Sequence, residues 1–296
     1  MRILVTGRDG QVARSLLAAG PAAGHEIVAI ARPQFDLAGE ERAIIDAIVG
    51  GRPDLIVSAA AYTAVDRAEE ERELAFAVNA RGAGAVAKAA HILGVPLLHL
   101  STDYVFDGSK ASPYSEEDPT CPTGVYGASK LAGEESVLAT HDDAVILRTA
   151  WVYSPFGRNF VRTMLGLAKA RSEVRVVADQ TGNPTSAEDI AAALITIAEK
   201  VRSSDRPGLR GRFHLTAPDS GTWADLAERV FEASRERGGP SASVVRITTG
   251  DYPTPAQRPA NSQLDCSRLA REHGVTLPSW RSSAAEVVAK LLEEAK

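Results

Sequence analysis

The chain has 296 residues, 44% hydrophobic and 24% charged, enough for one large α/β unit or for a nucleotide-binding domain with a smaller companion. A formal net charge of −5 argues against nonspecific nucleic-acid binding, and two cysteines far apart, Cys121 and Cys266, exclude a disulfide scaffold and a structural zinc pair. Met1 runs into Ile3-Leu4-Val5-Thr6 without a charged leader, and no window approaches the roughly 18 uninterrupted apolar residues of a membrane span, so a cytoplasmic protein with no membrane association is expected.

Taken in chain order, the first apolar run predicts a strand over 3–6. Gly7-Arg8-Asp9-Gly10-Gln11-Val12-Ala13 follows it directly and opens a helix over 11–19. Gly7 can turn the chain tightly, Gly10 can admit a pyrophosphate to the backbone, and small Ala13 lets the helix pack on the strand, while the helix N-terminus favours the anion. Gly7, Gly10, Gln11 and Val12 are therefore candidate cofactor-binding residues, although an ordinary strand-to-helix turn would read the same in isolation. The second strand, 27–30, ends in Ala31-Arg32, where a carboxylate usually binds the ribose of NAD. Arg32 is placed either to meet a 2′-phosphate or to lie solvated in a loop. Asp36 and Leu37 follow where a loop could cover an adenine, the carboxylate accepting from a polar group and the leucine packing on the ring.

A helix over 41–49 leads to a third strand, 55–58, after which Ser58-Ala59-Ala60-Ala61-Tyr62-Thr63 is small enough to bring backbone close to a phosphate and ribose. Ala61, Tyr62 and Thr63 join the cofactor set on that ground. The charge run 67–72 reads as the solvated start of a helix, continued over 74–93. A fourth strand, 97–100, delivers Ser101-Thr102-Asp103-Tyr104-Val105-Phe106 at its carboxyl end, where open α/β sheets place their chemistry. The Thr102 hydroxyl can hold a substrate carbonyl; Asp103 is a second proton carrier or a turn cap.

Tyr126-Gly127-Ala128-Ser129-Lys130 opens a helix over 126–138 and sets a phenol and an ammonium four residues apart, on one helical face. A ketone accepting hydride develops alkoxide charge and needs a proton. A tyrosine, with a reference pKa of about 10, gives it more readily when a nearby cation stabilises the phenolate. Lys130 can supply that charge while its remaining donors hold a nicotinamide ribose. The fifth strand spans 145–148. Alternation is looser beyond it: a helix over 160–170, a strand over 175–177, a helix over 190–201, a strand over 212–215, and helices over 223–235 and 284–294, with Pro253, Pro255 and Pro259 marking a loop. The expected architecture is α/β: a Rossmann-type doubly wound parallel sheet from residues 1–150, rejoined by about 187–215. A smaller C-terminal substrate-binding domain takes mainly 151–186 and 216–296.

With these motifs in this order the chain resembles the extended short-chain dehydrogenase/reductases, and among them enzymes of nucleotide-activated deoxysugars. The resemblance covers nearly the whole chain and rests also on Ala64-Val65-Asp66, Asp107-Gly108, Leu131-Ala132-Gly133-Glu134, Arg148-Thr149-Ala150-Trp151-Val152-Tyr153, Asp179-Gln180 and Arg258-Pro259 with Asn261-Ser262. It implies NADPH or NADH as cofactor and a nucleotide sugar as substrate. Thr102, Asp103, Tyr126 and Lys130 match catalytic positions, and the implied reaction reduces the C4 ketone of dTDP-4-dehydro-L-rhamnose to dTDP-L-rhamnose. Trp151 matches an aromatic beside the sugar, its apolar face suited to a deoxysugar. Arg258 can pair with the diphosphate through its planar fork, or be a loop arginine, and Asn261 is a further candidate substrate contact.

Ser15 stands where some members carry a glutamate that helps a magnesium ion bridge a dimer, so no metal is expected and the homodimer stays open. Another 4-keto-deoxysugar substrate fits the same motifs. A 4,6-dehydratase would carry glutamate where Tyr104 stands, and a non-enzymatic NADP-binding regulator would not need Thr102, Tyr126 and Lys130 together.

Overall fold

The computed structural model describes residues 1–294. The chain begins β1 (Arg2–Thr6), α1 (Gln11–Ala19), β2 (Glu26–Ile30), α2 (Glu41–Gly50), β3 (Leu55–Ser58) and a short α3 (Val65–Ala68). Next, α4 (Arg72–Phe76) runs through a π-helical turn (Ala77–Gly82) into α5 (Ala83–Leu93), followed by β4 (Leu97–Thr102), α6 (Val125–Thr140) and β5 (Ala144–Thr149). The excursion β6 (Val152–Tyr153), α7 (Phe160–Ala168), β7 (Glu173–Val177), β8 (Thr181–Gly182) and β9 (Thr185–Ser186) precedes α8 (Ala187–Ser203) and β10 (Gly211–His214). The chain ends with β11 (Gly221–Thr222), α9 (Trp223–Arg235), β12 (Ser243–Ile247), β13 (Asn261–Ser262), α10 (Ser267–His273) and α11 (Trp280–Glu293).

Six strands form one parallel sheet in the order β10-β5-β4-β3-β1-β2. This is a Rossmann-type doubly wound sheet accompanied by a smaller C-terminal domain. Its central strands read as unbroken apolar runs because helices cover both faces. On one face Val12, Ala13 and Leu16 of α1 and Ile190, Leu194 and Ile197 of α8 pack on Ile3, Val5 and Val57. On the other, Ile44 and Ile48 of α2, Val86 and Ala90 of α5 and Val137 of α6 pack on Leu4, Ile56 and Ile146. Strand order reverses at β1, flanked by β2 and β3, and that crevice is where such sheets bind ligands.

A second core gathers Tyr153, Val161, Leu165, Val174, Val176, Leu226, Phe231, Trp280 and Val288 from β6, α7, β7, α9 and α11. Two longer elements of the second half escaped the sequence reading. The short β12 pairs in parallel with β7, and α10 sends Leu269 to the first core, not the second. Among the described residues no helix is long and apolar enough to cross a membrane.

Two further expectations need correction. The helix over 74–93 is interrupted by the π-helical turn, where a Cβ on Gly82 would lie 2.5 Å from the Leu37 carbonyl oxygen. The charge run 67–72 is not merely a solvated helix start. Glu69 accepts from the Val125 backbone N–H at 2.9 Å and so caps α6, while Glu71 accepts from the Tyr62 hydroxyl at 2.6 Å.

Candidate active site

Thr102 and Asp103 stand at the carboxyl end of β4, and Tyr126 and Lys130 on the first turns of α6. Glycine determines how closely the two elements meet, because a Cβ at Gly127 would fall 2.1 Å from the Tyr104 carbonyl oxygen. A second close approach is at Gly133, where a Cβ would lie 2.1 Å from the Asn79 carbonyl of the π-helical turn. The helix therefore lies directly on the turn after β4 and brings Tyr126 against Thr102. The Tyr126 and Tyr104 rings meet edge to face, centroids 5.5 Å apart.

Burial sets the electrostatics. It pushes the Tyr126 phenol up to about 12, against a downward pull from its hydrogen bond with Thr102, with the Asp103 charge adding to the rise. Tyr126 is therefore protonated at neutral pH. Burial pushes Lys130 down to about 8, partly offset by Glu134, so the amine stays largely charged at pH 7. The Lys130 ammonium donates to the Leu100 carbonyl at 2.7 Å and approaches His99 Nε2 at 3.4 Å. Asp103 is 3% exposed and pushed by burial up to about 6, with the hydroxyls of Ser262 and Thr102 opposing. One of its oxygens accepts from Thr102 Oγ1 at 2.9 Å; the other has no hydrogen-bond partner among the described residues. The turn cap is Thr102, whose oxygen accepts from the Tyr104 N–H at 3.3 Å, so Asp103 is not the cap.

At the crevice beside β1, Gly7 holds φ +92°, a conformation L side chains rarely adopt, and a Cβ on Gly10 would meet nothing within 4 Å. Gly10 precedes α1 without a side-chain cap, so the first N–H groups of that helix are not taken up by one. Thr6 Oγ1 accepts from both Ala59 and Ala60 N–H at 3.1 Å and ties the ends of β1 and β3 together. This open cradle of backbone donors suits a pyrophosphate.

A model of the family described as the RmlD substrate binding domain matches residues 1–293. A dTDP-4-dehydrorhamnose reductase of Sinorhizobium fredii is 51% identical over 297 residues, all of this chain and 99% of that protein. The chain belongs to the dTDP-4-dehydrorhamnose reductase family. Two solved members share its architecture: one from Clostridium acetobutylicum at TM-score 0.91 and 34% identity, covering 99% of this chain and 100% of that one. The other, from Bacillus anthracis and crystallised with NADP, has TM-score 0.90 and 32% identity over 98% and 99% of the two chains.

Within this reductase-family fold the sequence-predicted residues fall into two groups. Val12 is buried in the first core, and Gln11 donates to the Val152 carbonyl at 3.2 Å and accepts from Ser154 at 2.8 Å. Both side chains are thus engaged within the protein, leaving backbone as what these two residues have for a ligand. Arg32 and Asp36 are exposed, the Asp36 carboxylate accepting from the Ala38 N–H, whereas Leu37 is 6% exposed inside the second face's core, so its side chain is not free to cover an adenine. Ala61 and Tyr62 are half-buried and Thr63 is exposed. The buried Ser15 returns its hydroxyl to the Gln11 carbonyl.

Three substrate-side candidates are already engaged within the protein. Trp151 lies face to face with Trp223, centroids 3.7 Å apart and planes 6° off parallel. A Cβ on Gly182 would sit 2.6 Å from Trp151 Cε2 and 2.9 Å from Cζ2 and Nε1, which places it over the ring. Both indole faces are therefore covered, and the free part of this half-buried residue is its edge. Its φ of +48° is uncommon for a bulky residue. Arg258 is no free loop arginine: its Nη2 grips both oxygens of Asp66 at 2.9 and 2.8 Å. Asn261 spends its amide on the Lys110 and Ser112 carbonyls and its oxygen on the Gln263 N–H, at 8% exposure, so its polar atoms are already bonded within the protein.

Asn79 was missed by the sequence reading. From the π-helical turn its amide accepts from the Tyr62 N–H at 2.8 Å and donates to the Tyr62 carbonyl at 3.0 Å and Ser129 Oγ at 2.9 Å. It joins the loop after β3 to the helix carrying Tyr126. The one signal was a polar residue among alanines.

Proposed function

We propose that the protein reduces the C4 ketone of dTDP-4-dehydro-L-rhamnose with NADPH or NADH, giving dTDP-L-rhamnose. The observation that carries this reading is the meeting of half-buried Tyr126 with buried Thr102, one helical turn before the buried Lys130 on the same helix. The reduced nicotinamide supplies the hydride that reaches the carbonyl carbon. Tyr126 gives its proton to the carbonyl oxygen, and the Lys130 ammonium stabilises the phenolate left behind. Thr102 has one proton and two neighbours that would take it, Asp103 and Tyr126. Protonation of Asp103, near neutral pH, lets that carboxyl donate to Thr102 and frees the Thr102 proton for the substrate oxygen.

Residues 1–150 with 187–215 bind the cofactor on this reading, through Gly7, Gly10, the Ala61–Thr63 backbone and Lys130. The remainder binds the nucleotide sugar, except that α10 supports the first core. Turnover should be read as loss of reduced-nicotinamide absorbance on adding the nucleotide sugar. The free 4-keto-deoxysugar should be almost inert, because binding energy from the remote nucleotide is needed to orient the ketone. Equal turnover of simple ketones would contradict the nucleotide-sugar assignment.

The Arg258 ion pair gives a second expectation. On this reading the substrate diphosphate draws Arg258 away from Asp66, so Arg258→Ala should raise KM for the nucleotide sugar several-fold and leave NADPH affinity unchanged. Asp66→Asn should then be milder. Equal KM increases in both variants would mean that the pair only fastens the 253–259 loop.

A further inference from the structure

We infer that His99 is a positioning residue for Lys130, clamping its ammonium from the sheet side so that the remaining N–H points at the reacting groups. The inference rests on reading Lys130 as the cation that serves Tyr126. His99 lies on β4, 1% exposed, directly opposite Ser58 in the β3–β4 register. Its Nδ1 is 3.0 Å from Ser58 Oγ and its Nε2 3.4 Å from Lys130 Nζ.

Hydrogen-bond chemistry fixes the tautomer. Burial and the adjacent Lys130 charge push His99 well below the ordinary imidazole range, so the ring is neutral with one N–H and one lone pair. An ammonium only donates, so Nε2 carries the lone pair and Nδ1–H donates to Ser58. The Leu100 carbonyl takes a second ammonium proton at 2.7 Å. With two of its three N–H directions used, the third is fixed, and a flexible four-carbon stem is held in one arrangement. Ser58 immediately precedes the Ala59–Thr63 segment, so the clamp also ties Lys130 to the strand end that carries the cofactor loop.

The groups that bear on the Lys130 charge are few. Glu134 on its own helix and His99 on β4 act on it directly, while Arg148 from β5 and Arg212 from β10 neutralise Glu134; Tyr126 one turn earlier on the helix, and Asp103 and Tyr104 in the turn after β4, are the nearest other titratable groups on the packed elements. Asp66 on α3 is paired with Arg258, and the charged side chains of α4, the π-helical turn and α5 (Arg72, Glu73, Arg81 and Lys88) are exposed. Among the described residues His99 is therefore the one side-chain lone pair hydrogen-bonded to the ammonium.

The test titrates Lys130 in the ligand-free protein, by NMR of 13Cε-labelled lysine assigned with Lys130→Met, alongside kcat against pH. In His99→Gln the amide oxygen reaches the place of Nε2; in His99→Asn the side chain stops near Nδ1. A lone pair favours the charged amine, so removing it lowers the titration midpoint. His99→Gln should stay within about 0.3 unit of the wild type. His99→Asn should fall by about half to one unit, with the alkaline limb of kcat following. Its kcat should drop about tenfold while KM for the nucleotide sugar stays within about twofold, since the clamp acts on the proton donor's partner and not on the sugar. An unchanged midpoint in His99→Asn, or equal falls in both variants, would overturn the inference and leave His99 a packing residue. Should His99→Asn not fold, Ser58→Ala keeps the ring but frees Nδ1; a smaller fall in the same direction is expected, and none overturns the clamp. Normal turnover by Lys130→Met would instead sink the catalytic reading of Lys130, while the ligand-free titration still reports on the clamp.

Discussion

Tyr126→Phe should fold, bind NADPH with unchanged affinity and lose on the order of 10²-fold or more in turnover, the usual scale for a positioned general acid. The substitution removes one oxygen from a side chain whose ring packs edge to face on Tyr104, so the packing survives. What disappears is the proton that the developing alkoxide needs. Among neighbouring groups Tyr104 cannot replace it: burial first, then the Asp103 charge, push that phenol still further above the ordinary range. Nor is Asp103 a direct substitute, since its bonded oxygen faces Thr102. Near-normal kcat in Tyr126→Phe would remove the assignment of the donor, whereas lost NADPH binding would show that the phenol holds the cofactor.

Glu134→Ala should cost stability more than any substitution in the catalytic set. Glu134 is fully buried one helical turn beyond Lys130 and accepts from Arg148 Nε at 2.9 Å and Nη2 at 2.7 Å, from Arg212 at 3.2 Å, and from Ser101. It fastens the catalytic helix to β4, β5 and β10 at once. Its removal leaves Arg148, 1% exposed, as an uncompensated buried charge, a loss of about 3–5 kcal/mol. Replacing both partners, as in Glu134→Leu with Arg148→Met, should cost much less for the same reason. Burial pushes the Glu134 carboxyl up, but the hydrogen bonds and charge of Arg148, with Ser101 and Arg212, outweigh it and hold it below its ordinary range. A carboxyl lowered by folding contributes stability above its unfolded pKa and loses it as pH falls through the folded value. The gap between Glu134→Ala and the wild type in denaturant unfolding should therefore be widest near pH 7 and narrow on acidification. A gap below about 1 kcal/mol at pH 7 would mean that water reaches Arg148.

The parts of this molecule that could be read from its sequence are those whose determinants are local. The strands 3–6, 27–30, 55–58 and 97–100 announce themselves because a parallel sheet covered on both faces needs unbroken apolar runs. The Tyr126 and Lys130 pairing is set by helical period alone. The glycine turn after β1 follows from the backbone freedom it requires. What stayed hidden depends on partners distant in sequence. Trp151 looks like an exposed sugar platform until Trp223 and Gly182 cover its faces. Likewise Arg258 looks like an unpaired loop arginine until Asp66, 192 residues away, takes its guanidinium. Asn261 was read as a ligand contact because polarity in a motif does not say whether its hydrogen bonds are already spent. Besides the two-residue strands β6, β8, β9, β11 and β13, the elements missed were β12 and α10. Ser243-Val244-Val245-Arg246-Ile247 is five residues without clear alternation, and α10 is seven residues, mostly polar; both are held by tertiary contacts more than by pattern.

The central claim is that this site moves a hydride to the C4 carbonyl of a nucleotide-linked sugar while Tyr126 delivers the proton. Its most direct test supplies reduced cofactor deuterated at the transferable nicotinamide position together with dTDP-4-dehydro-L-rhamnose, and reads the sugar product by NMR and mass spectrometry. One deuterium should appear at C4 of dTDP-L-rhamnose with the wild type, at a rate lowered on the order of 10²-fold or more in Tyr126→Phe. Cofactor that binds yet is not oxidised, or a product free of deuterium at C4, would contradict it.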